Sequence, residues 1–198
     1  MALWPALEKY WEDNSVRWAG AARLLGAMDL RDPEEFSNSC AGLDSYLQAC
    51  GAVANFKATE VVKPNYPWPS QATWPGALVL TMIGEKFRAF NGGHPVFSRH
   101  WYRSPMLNAQ RGGAPQSDHL WACAMDFDFY NLWIPAVRAR RRAQRWLLEE
   151  SGIPRNVISL GVGWRMLHVG LYAPRTLALG KHRRWKYGKL PVSEMVIS

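Results

Sequence analysis

The chain has 198 residues, of which 48% are hydrophobic and 20% are charged, and its formal net charge is +8. This composition excludes global disorder, and the length fits one domain with an N-terminal elaboration. The excess of positive charge favours anionic partners, such as nucleic acid, teichoic or lipid polymers, or a carboxylate-bearing cell wall.

The N-terminal sequence MALWPALEKYWEDN lacks a basic start followed by a long apolar run, so no signal peptide is predicted. No window approaches ~20 apolar residues, so no membrane span is predicted either. Three cysteines are too few for a disulfide framework, and no CxxC pattern typical of zinc occurs. Cys40 and Cys50 could pair in an oxidising compartment, but isolated buried thiols are the favoured alternative.

The first half of the chain is predicted to be mainly helical. Residues 1–50 place apolar side chains at helical spacing, at positions 4, 7, 10 and 11 and again at 18, 21, 22 and 25. Four prolines within residues 63–75 exclude a single helix or a central strand and predict an extended connector. Residues 77–90 predict a helix that stops at Asn91, and residues 95–97 predict a short strand.

The second half combines strands with one long helix. Residues 121–130 predict a strand with one bulky apolar face and one small, acidic face, which carries Asp126 and Asp128. Residues 134–151 predict a helix whose arginine run is interpreted as a solvated face, with contact to an anionic polymer or nucleic acid as the alternative. Residues 158–172 predict another strand. We therefore expect an α+β fold, with a small antiparallel sheet flanked by helices. No nucleic-acid fold motif accompanies the arginines, so nucleic acid is not an expected partner.

Two short motifs stand out in residues 98–129. The first is YRSP at residues 102–105. The second is similar to Ser-x-His-x-x-Gly-x-Ala-x-Asp and consists of Ser117, His119, Ala124 and Asp126. Together they resemble the zinc D-Ala-D-Ala carboxypeptidases, peptidases that cut peptide bonds of the bacterial cell wall. The resemblance covers about residues 53–188. It implies a zinc peptidase domain over residues 53–198 behind a helical N-terminal elaboration, residues 1–52.

The resemblance implies a Zn²⁺ cofactor bound by His119, Asp126 and His168. Two imidazoles and one carboxylate leave a fourth position open for water, as a catalytic zinc site needs. On a straight strand His119 and Asp126 would lie about 23 Å apart. The chain is therefore expected to double back around residues 120–122. The remaining histidines are interpreted as ordinary surface or core residues: His94, His100 and His182.

The resemblance also implies that Arg103 is catalytic. In that role its guanidinium binds the substrate carbonyl or stabilises the oxyanion as it forms. The alternative is a structural salt bridge to Asp118 or Asp128.

Three positions depart from the family pattern. Ala122 replaces a glycine and needs a compatible backbone conformation. Gly170 replaces an aspartate two residues after the third ligand, so the support of that carboxylate is lost. Arg165 replaces the general-base carboxylate three residues before the third ligand, and an arginine cannot accept a proton. Asp128 is the candidate catalytic base in its place, with Asp118 or a residue from another segment as alternatives.

Two functions follow from the resemblance. The favoured hypothesis is a zinc-dependent peptidase of peptidoglycan stem or cross-link peptides, a lysin-like DD-carboxypeptidase or endopeptidase. The alternative is a catalytically impaired structural or wall-docking protein of the same fold, such as a phage virion component. The expected partners are peptidoglycan peptides and other phage structural proteins. The expected location is the bacterial cell wall or periplasm, reached without a signal peptide through a phage lysis system, or a phage virion.

Overall fold

The expected α+β fold is confirmed over the residues that the computed structural model describes, 3–50, 53–62, 68–129 and 133–188. The helices are α1 (Leu3–Leu24), α2 (Cys40–Ala49), α3 (Ala58–Val61), α4 (Trp74–Phe90), α5 (Pro105–Gln110), α6 (Trp133–Arg145) and α7 (Pro174–Leu179). The strands are β1 (Val96–His100), β2 (Ala124–Phe129), β3 (Ile158–Val162), β4 (Met166–Leu171) and β5 (Arg183–Lys186). In these parts of the chain, no helix is both long and apolar enough to cross a bilayer.

The strands form one sheet in the order β1-β2-β4-β3-β5. Every pairing is antiparallel except that of β5 with β3, which is parallel. In the register of the two central strands, Asp126 of β2 lies opposite His168 of β4. The sheet therefore places two of the predicted zinc ligands side by side.

The prediction of a single strand over residues 158–172 is wrong, because this segment forms the hairpin of β3 and β4. The strands are joined at residues 163–165, where the Gly163 N–H donates to the Met166 carbonyl at 2.8 Å. The apolar pattern continues through both strands and conceals the turn, although a glycine marks it. The hairpin places His168 on β4, the middle strand of the sheet.

The predicted helices are present with shifted ends. The helix expected over residues 77–90 starts earlier, at Trp74, with Pro75 in its first turn. A proline fits there because the first turn leaves its N–H groups unpaired. The expected helix over 134–151 is α6 followed by a π turn, Trp146–Glu150. Residues 64 and 67, two prolines of the predicted connector, lie outside the described residues.

The arginine run of α6 is only partly a solvated face. Four of its members are exposed: Arg138, Arg141, Arg142 and Arg145. Arg140 is fully buried, and its Nε donates to the Trp164 carbonyl at 2.8 Å. One cation of the run therefore supports the turn between β3 and β4.

The three cysteines are free, and Cys50 and Cys123 are buried, as the favoured alternative predicted, whereas Cys40 is exposed. Cys40 begins α2 and Cys50 directly follows its last residue. Ten residues of helix rise about 15 Å. A disulfide needs its two Cα atoms about 4.4–6.8 Å apart, so this pair cannot form within the helix.

Helix α1 packs against the segments that carry the candidate site. The Tyr10 hydroxyl donates to the Tyr172 carbonyl at 2.8 Å, and the Trp11 Nε1–H donates to the Trp121 carbonyl at 3.0 Å. Side chains of α1 and of the sheet belong to one continuous apolar core. The proposed boundary between residues 52 and 53 stays a prediction, and residues 51–52 lie outside the described part.

The packing of α1 on α4 yields a prediction for Gly76. A Cβ at this position would lie 2.1 Å from Cη2 of Trp11. Gly76→Ala is expected to lower the free energy of unfolding by about 1–3 kcal/mol, because the buried indole must shift. Urea denaturation measures the change. Gly20→Ala in α1 is the matched control, since its Cβ would meet nothing within 4 Å. Gly20→Ala should raise the free energy of unfolding by about 0.5–1 kcal/mol. A similar increase in Gly76→Ala would contradict the close packing of Gly76 against Trp11.

Candidate metal centre

The turn before β2 brings His119 back over the strand. Residues Asp118–Trp121 form a 3₁₀ turn, and Ala122 then adopts φ 49° and ψ 26°. This left-handed conformation favours glycine, which is the residue that the family pattern has there. The Trp101 Nε1–H donates to the Ala122 carbonyl at 2.8 Å and holds the turn. The expected chain reversal around residues 120–122 is thus confirmed, and the alanine tolerates its conformation.

The structure brings the three predicted ligands together. Ligand atoms of His119, Asp126 and His168 all lie within 4.8 Å of one another, and all three residues are buried. His119 Nε2 lies 3.3 Å from one oxygen of Asp126. His168 Nδ1 lies 2.8 Å from the other oxygen. The carboxylate therefore lies between two imidazoles that come from a turn and from the neighbouring strand.

The electrostatic environment keeps this carboxylate ionised. Burial would favour the neutral acid, but the His119 and His168 imidazoles hold the pKa of Asp126 well below its usual range. Burial lowers the pKa of His119, which favours its neutral form. Burial also opposes charge on His168, but the neighbouring Asp118 and Asp126 carboxylates attract the proton and raise its pKa to about 9.

The donor set fits a zinc ion. His119 Nδ1 lies 2.7 Å from the Trp101 carbonyl, so this nitrogen carries the proton and donates it. The lone pair is then on Nε2, which faces Asp126. Two imidazole nitrogens and a carboxylate oxygen are the ligands of many catalytic zinc sites. A carbonyl that fixes the tautomer of a ligating histidine is a typical feature of such sites.

Arg103 lies at the edge of this cluster. Its Nη2 donates to Asp126 Oδ2 at 2.9 Å, and its side chain is 13% exposed. Its backbone N–H donates to the His119 carbonyl at 3.1 Å. Arg103 thus forms its ion pair with Asp126, a predicted metal ligand. It does not pair with Asp118 or Asp128, the partners expected if its role were only structural. The Arg103 Nε is buried and has no hydrogen-bond partner among the described residues.

The structure does not bring Asp128 into the cluster. Its Oδ2 accepts a hydrogen bond from the Arg99 Nε at 2.8 Å, and its Oδ1 lies 2.9 Å from the Arg165 Nε. Both oxygens are therefore engaged by cations beyond the ligand group. Its role as general base stays a prediction, and this geometry does not favour it. Arg165, which stands where the family has its base, is the partner that engages it.

The cluster forms the floor of a cavity of about 700 Å³. Six cationic side chains line this cavity: Arg103, Arg111, Arg175, Lys181, Arg183 and Arg184. Within the described chain, the carboxylates of the lining are those of Asp118 and Asp126, and each is in an ion pair with an arginine. The cavity is therefore strongly positive.

Sequence reasoning missed the wall that β5 and α7 form. The basic run KHRRWK at residues 181–186 was an available signal, since β5 supplies cations of the cavity and the indole of Trp185. The centroid of that ring lies 4.9 Å from the imidazole of His168. His100 also lies nearer to the site than expected, with its ring centroid 6.4 Å from that of His119. Burial and the Arg103 cation lower its pKa to about 4.

Comparison with known proteins agrees with this geometry. A family model described as Peptidase M15 matches residues 55–157, about half of the chain. The matched segment contains Arg103, His119 and Asp126 and ends before His168. No curated protein and no solved structure matches the chain. The match confirms the resemblance seen in the sequence motifs and supports a metallopeptidase. The chain belongs to the peptidase M15 family, whose members depend on zinc.

Proposed function

We propose that this protein is a zinc-dependent peptidase that hydrolyses peptidoglycan stem or cross-link peptides. The observation that carries the proposal is the convergence of His119, Asp126 and His168 at the floor of a cationic cavity. In a member of the peptidase M15 family, this convergence supports metal-assisted hydrolysis.

The three ligands would hold the zinc ion. When bound, zinc supplies Lewis-acid chemistry that activates a water molecule and polarises the scissile carbonyl. Arg103 contributes a guanidinium directly beside Asp126. A cation already positioned where negative charge develops stabilises the transition state without further reorganisation. Arg103 would therefore hold the carbonyl oxygen of the substrate.

The cavity walls favour an anionic substrate. Six cations against two paired carboxylates attract negative charge and orient it toward the floor. Peptidoglycan stem peptides carry free carboxylates, which makes them suitable ligands for such a cavity. The proposal thus places the substrate in the bacterial cell wall. Delivery by a phage particle or lysis system stays a prediction.

One observation favours a second candidate function, a wall-docking or structural protein of the same fold. Arg165 occupies the family's general-base position, and it lies against Asp128. Among the described lining residues, no carboxylate is outside an ion pair. A protein of this kind would bind stem peptides through its cations and cut them slowly or not at all.

Incubation with defined muropeptides separates the two functions. The zinc-loaded protein is expected to release free amine slowly from a D-alanyl-ended stem peptide or from a cross-linked dimer. Slow turnover is expected because the absence of a positioned base lowers the rate by about 10²–10⁴-fold. Asp126→Asn, which weakens the ligand set, and chelator-treated protein are the controls. Zinc and peptide binding without amine release would support the docking function, and equal release by Asp126→Asn would contradict the proposed enzyme.

A further inference from the structure

Asp118 is a buried carboxylate to which the proposed hydrolysis assigns no task. It lies in the 3₁₀ turn directly before His119, and its side chain is 3% exposed. Its Oδ1 accepts a hydrogen bond from the Arg183 Nη1 at 3.0 Å. Its Oδ2 accepts one from the Ser159 hydroxyl. Because these partners belong to β5 and β3, the carboxylate is held in place from two strands.

The same carboxylate lies behind the third ligand. His168 presents Nδ1 to Asp126 Oδ1 at 2.8 Å. Its opposite nitrogen, Nε2, is buried, has no hydrogen-bond partner in the described part of the chain, and lies 3.6 Å from Asp118 Oδ2. A shift of about 0.5 Å brings this pair within hydrogen-bond distance. The imidazole is therefore located between two carboxylates, one for each ring nitrogen.

Gly170 explains why Asp118 has room there. It lies opposite Ser159 in the register of β3 and β4. A Cβ at position 170 would lie 2.3 Å from Ser159 Oγ and 2.7 Å from Asp118 Oδ2. A side chain at 170 and the carboxylate of Asp118 therefore exclude each other. The space that an acid at position 170 would enter is filled from the neighbouring turn.

We propose that Asp118 is the positioning residue of His168. Its carboxylate accepts the Nε2–H, which fixes the tautomer and directs the Nδ1 lone pair toward the metal. Ligating histidines commonly donate their other N–H to a carboxylate, which orients the ring and makes it a more basic ligand. The inference rests on the proposed zinc site but does not require peptidase activity. In this chain Asp118 supplies the support that Gly170 lacks.

Zinc affinity is the first test. Asp118→Asn keeps the size of the side chain but removes its charge, and it is expected to weaken zinc binding by about 10- to 100-fold. Competition with a chromophoric chelator measures the Kd. Asp44→Asn is the matched control, because Asp44 accepts a hydrogen bond from the backbone N–H of Ala58 in another part of the chain. Asp44→Asn should bind zinc as the unmodified protein does. Equal Kd values for Asp118→Asn and the unmodified protein would overturn the proposal.

Relocation of the carboxylate distinguishes positioning from a general structural role. Three variants are compared, and all of them carry Ser159→Ala, which removes the hydroxyl that would obstruct a side chain at position 170. The first variant has no other change, the second adds Asp118→Ala, and the third adds both Asp118→Ala and Gly170→Asp. The second should bind zinc at least about 10-fold more weakly than the first. The third should recover most of that loss, and a folded third chain without recovery would overturn the proposal.

Nitrogen-15 NMR of the zinc-loaded protein provides a readout that does not depend on the folding of the relocated variant. The His168 Nε2–H is expected as a downfield, slowly exchanging resonance that Asp118→Ala removes or shifts upfield, because alanine offers no side-chain acceptor. An unchanged resonance in Asp118→Ala would refute the hydrogen bond. If the unmodified protein binds no zinc, both the proposed function and this inference fail. If it binds zinc and shows these effects without peptidase activity, only the proposed function fails.

Discussion

His119→Ala is expected to abolish the zinc-dependent rise in thermal stability of this protein. A ligand at 100 times its Kd stabilises the folded state by about 2.7 kcal/mol. For a domain of this size, that raises Tm by roughly 5–10 °C. The variant lacks one of three buried ligands, so zinc at the same concentration should raise its Tm by less than about 1 °C. Thermal unfolding with and without zinc measures the shift, and elemental analysis should find one zinc per unmodified chain.

The comparison uses the zinc-induced shift rather than the Tm itself. His119→Ala also removes the hydrogen bond to the Trp101 carbonyl, which lowers stability without zinc. His94→Ala is the matched control, because His94 is an exposed histidine outside the cluster. It should keep the full shift. Unmodified protein that contains no zinc and shows no shift would contradict the metal site, as would an undiminished shift in His119→Ala.

Arg165→Glu is expected to increase the hydrolysis of a D-alanyl-ended peptide by at least about 10-fold, since a positioned base contributes about 10²–10⁴-fold. Position 165 lies three residues before the third ligand, where the family pattern has its proton acceptor. The Arg165 side chain is 45% exposed, so a carboxylate at this position stays in contact with solvent. Arg99 still pairs with Asp128 after the exchange. Amine release with zinc present measures the gain.

Arg165→Gln separates the new carboxylate from the mere loss of a cation. It removes the charge next to Asp128 without adding a proton acceptor, so its turnover should stay near that of the unmodified protein. Equal gains in turnover by Arg165→Glu and Arg165→Gln would show that loss of the arginine cation, and not the added carboxylate, raises the rate. Fast turnover by the unmodified protein that Asp128→Asn abolishes would instead identify Asp128 as the base, as the sequence predicted.

Local spacing was enough to predict much of this protein. The helical spacing of apolar residues and the Asn91 stop signal predicted α1 and α4. The Ser-x-His and Ala-x-Asp motif predicted that His119 and Asp126 converge. Strand geometry then required the reversal that the 3₁₀ turn and Ala122 provide. These features depend on residues a few positions apart, whose relative placement is set by backbone geometry.

Contacts between distant segments were decided only by the tertiary structure. The pairing of β4 with β2 and β3 places His168 opposite Asp126, which lies 42 residues away. Ser159 and Arg183 hold Asp118 from 41 and 65 residues away. Strand alternation tells which face a side chain occupies but not which strand lies beside it. For this reason the sequence by itself determined the fold class and the ligand residue types. The sheet order decided that Asp118 lies behind His168 and that Arg165 engages Asp128.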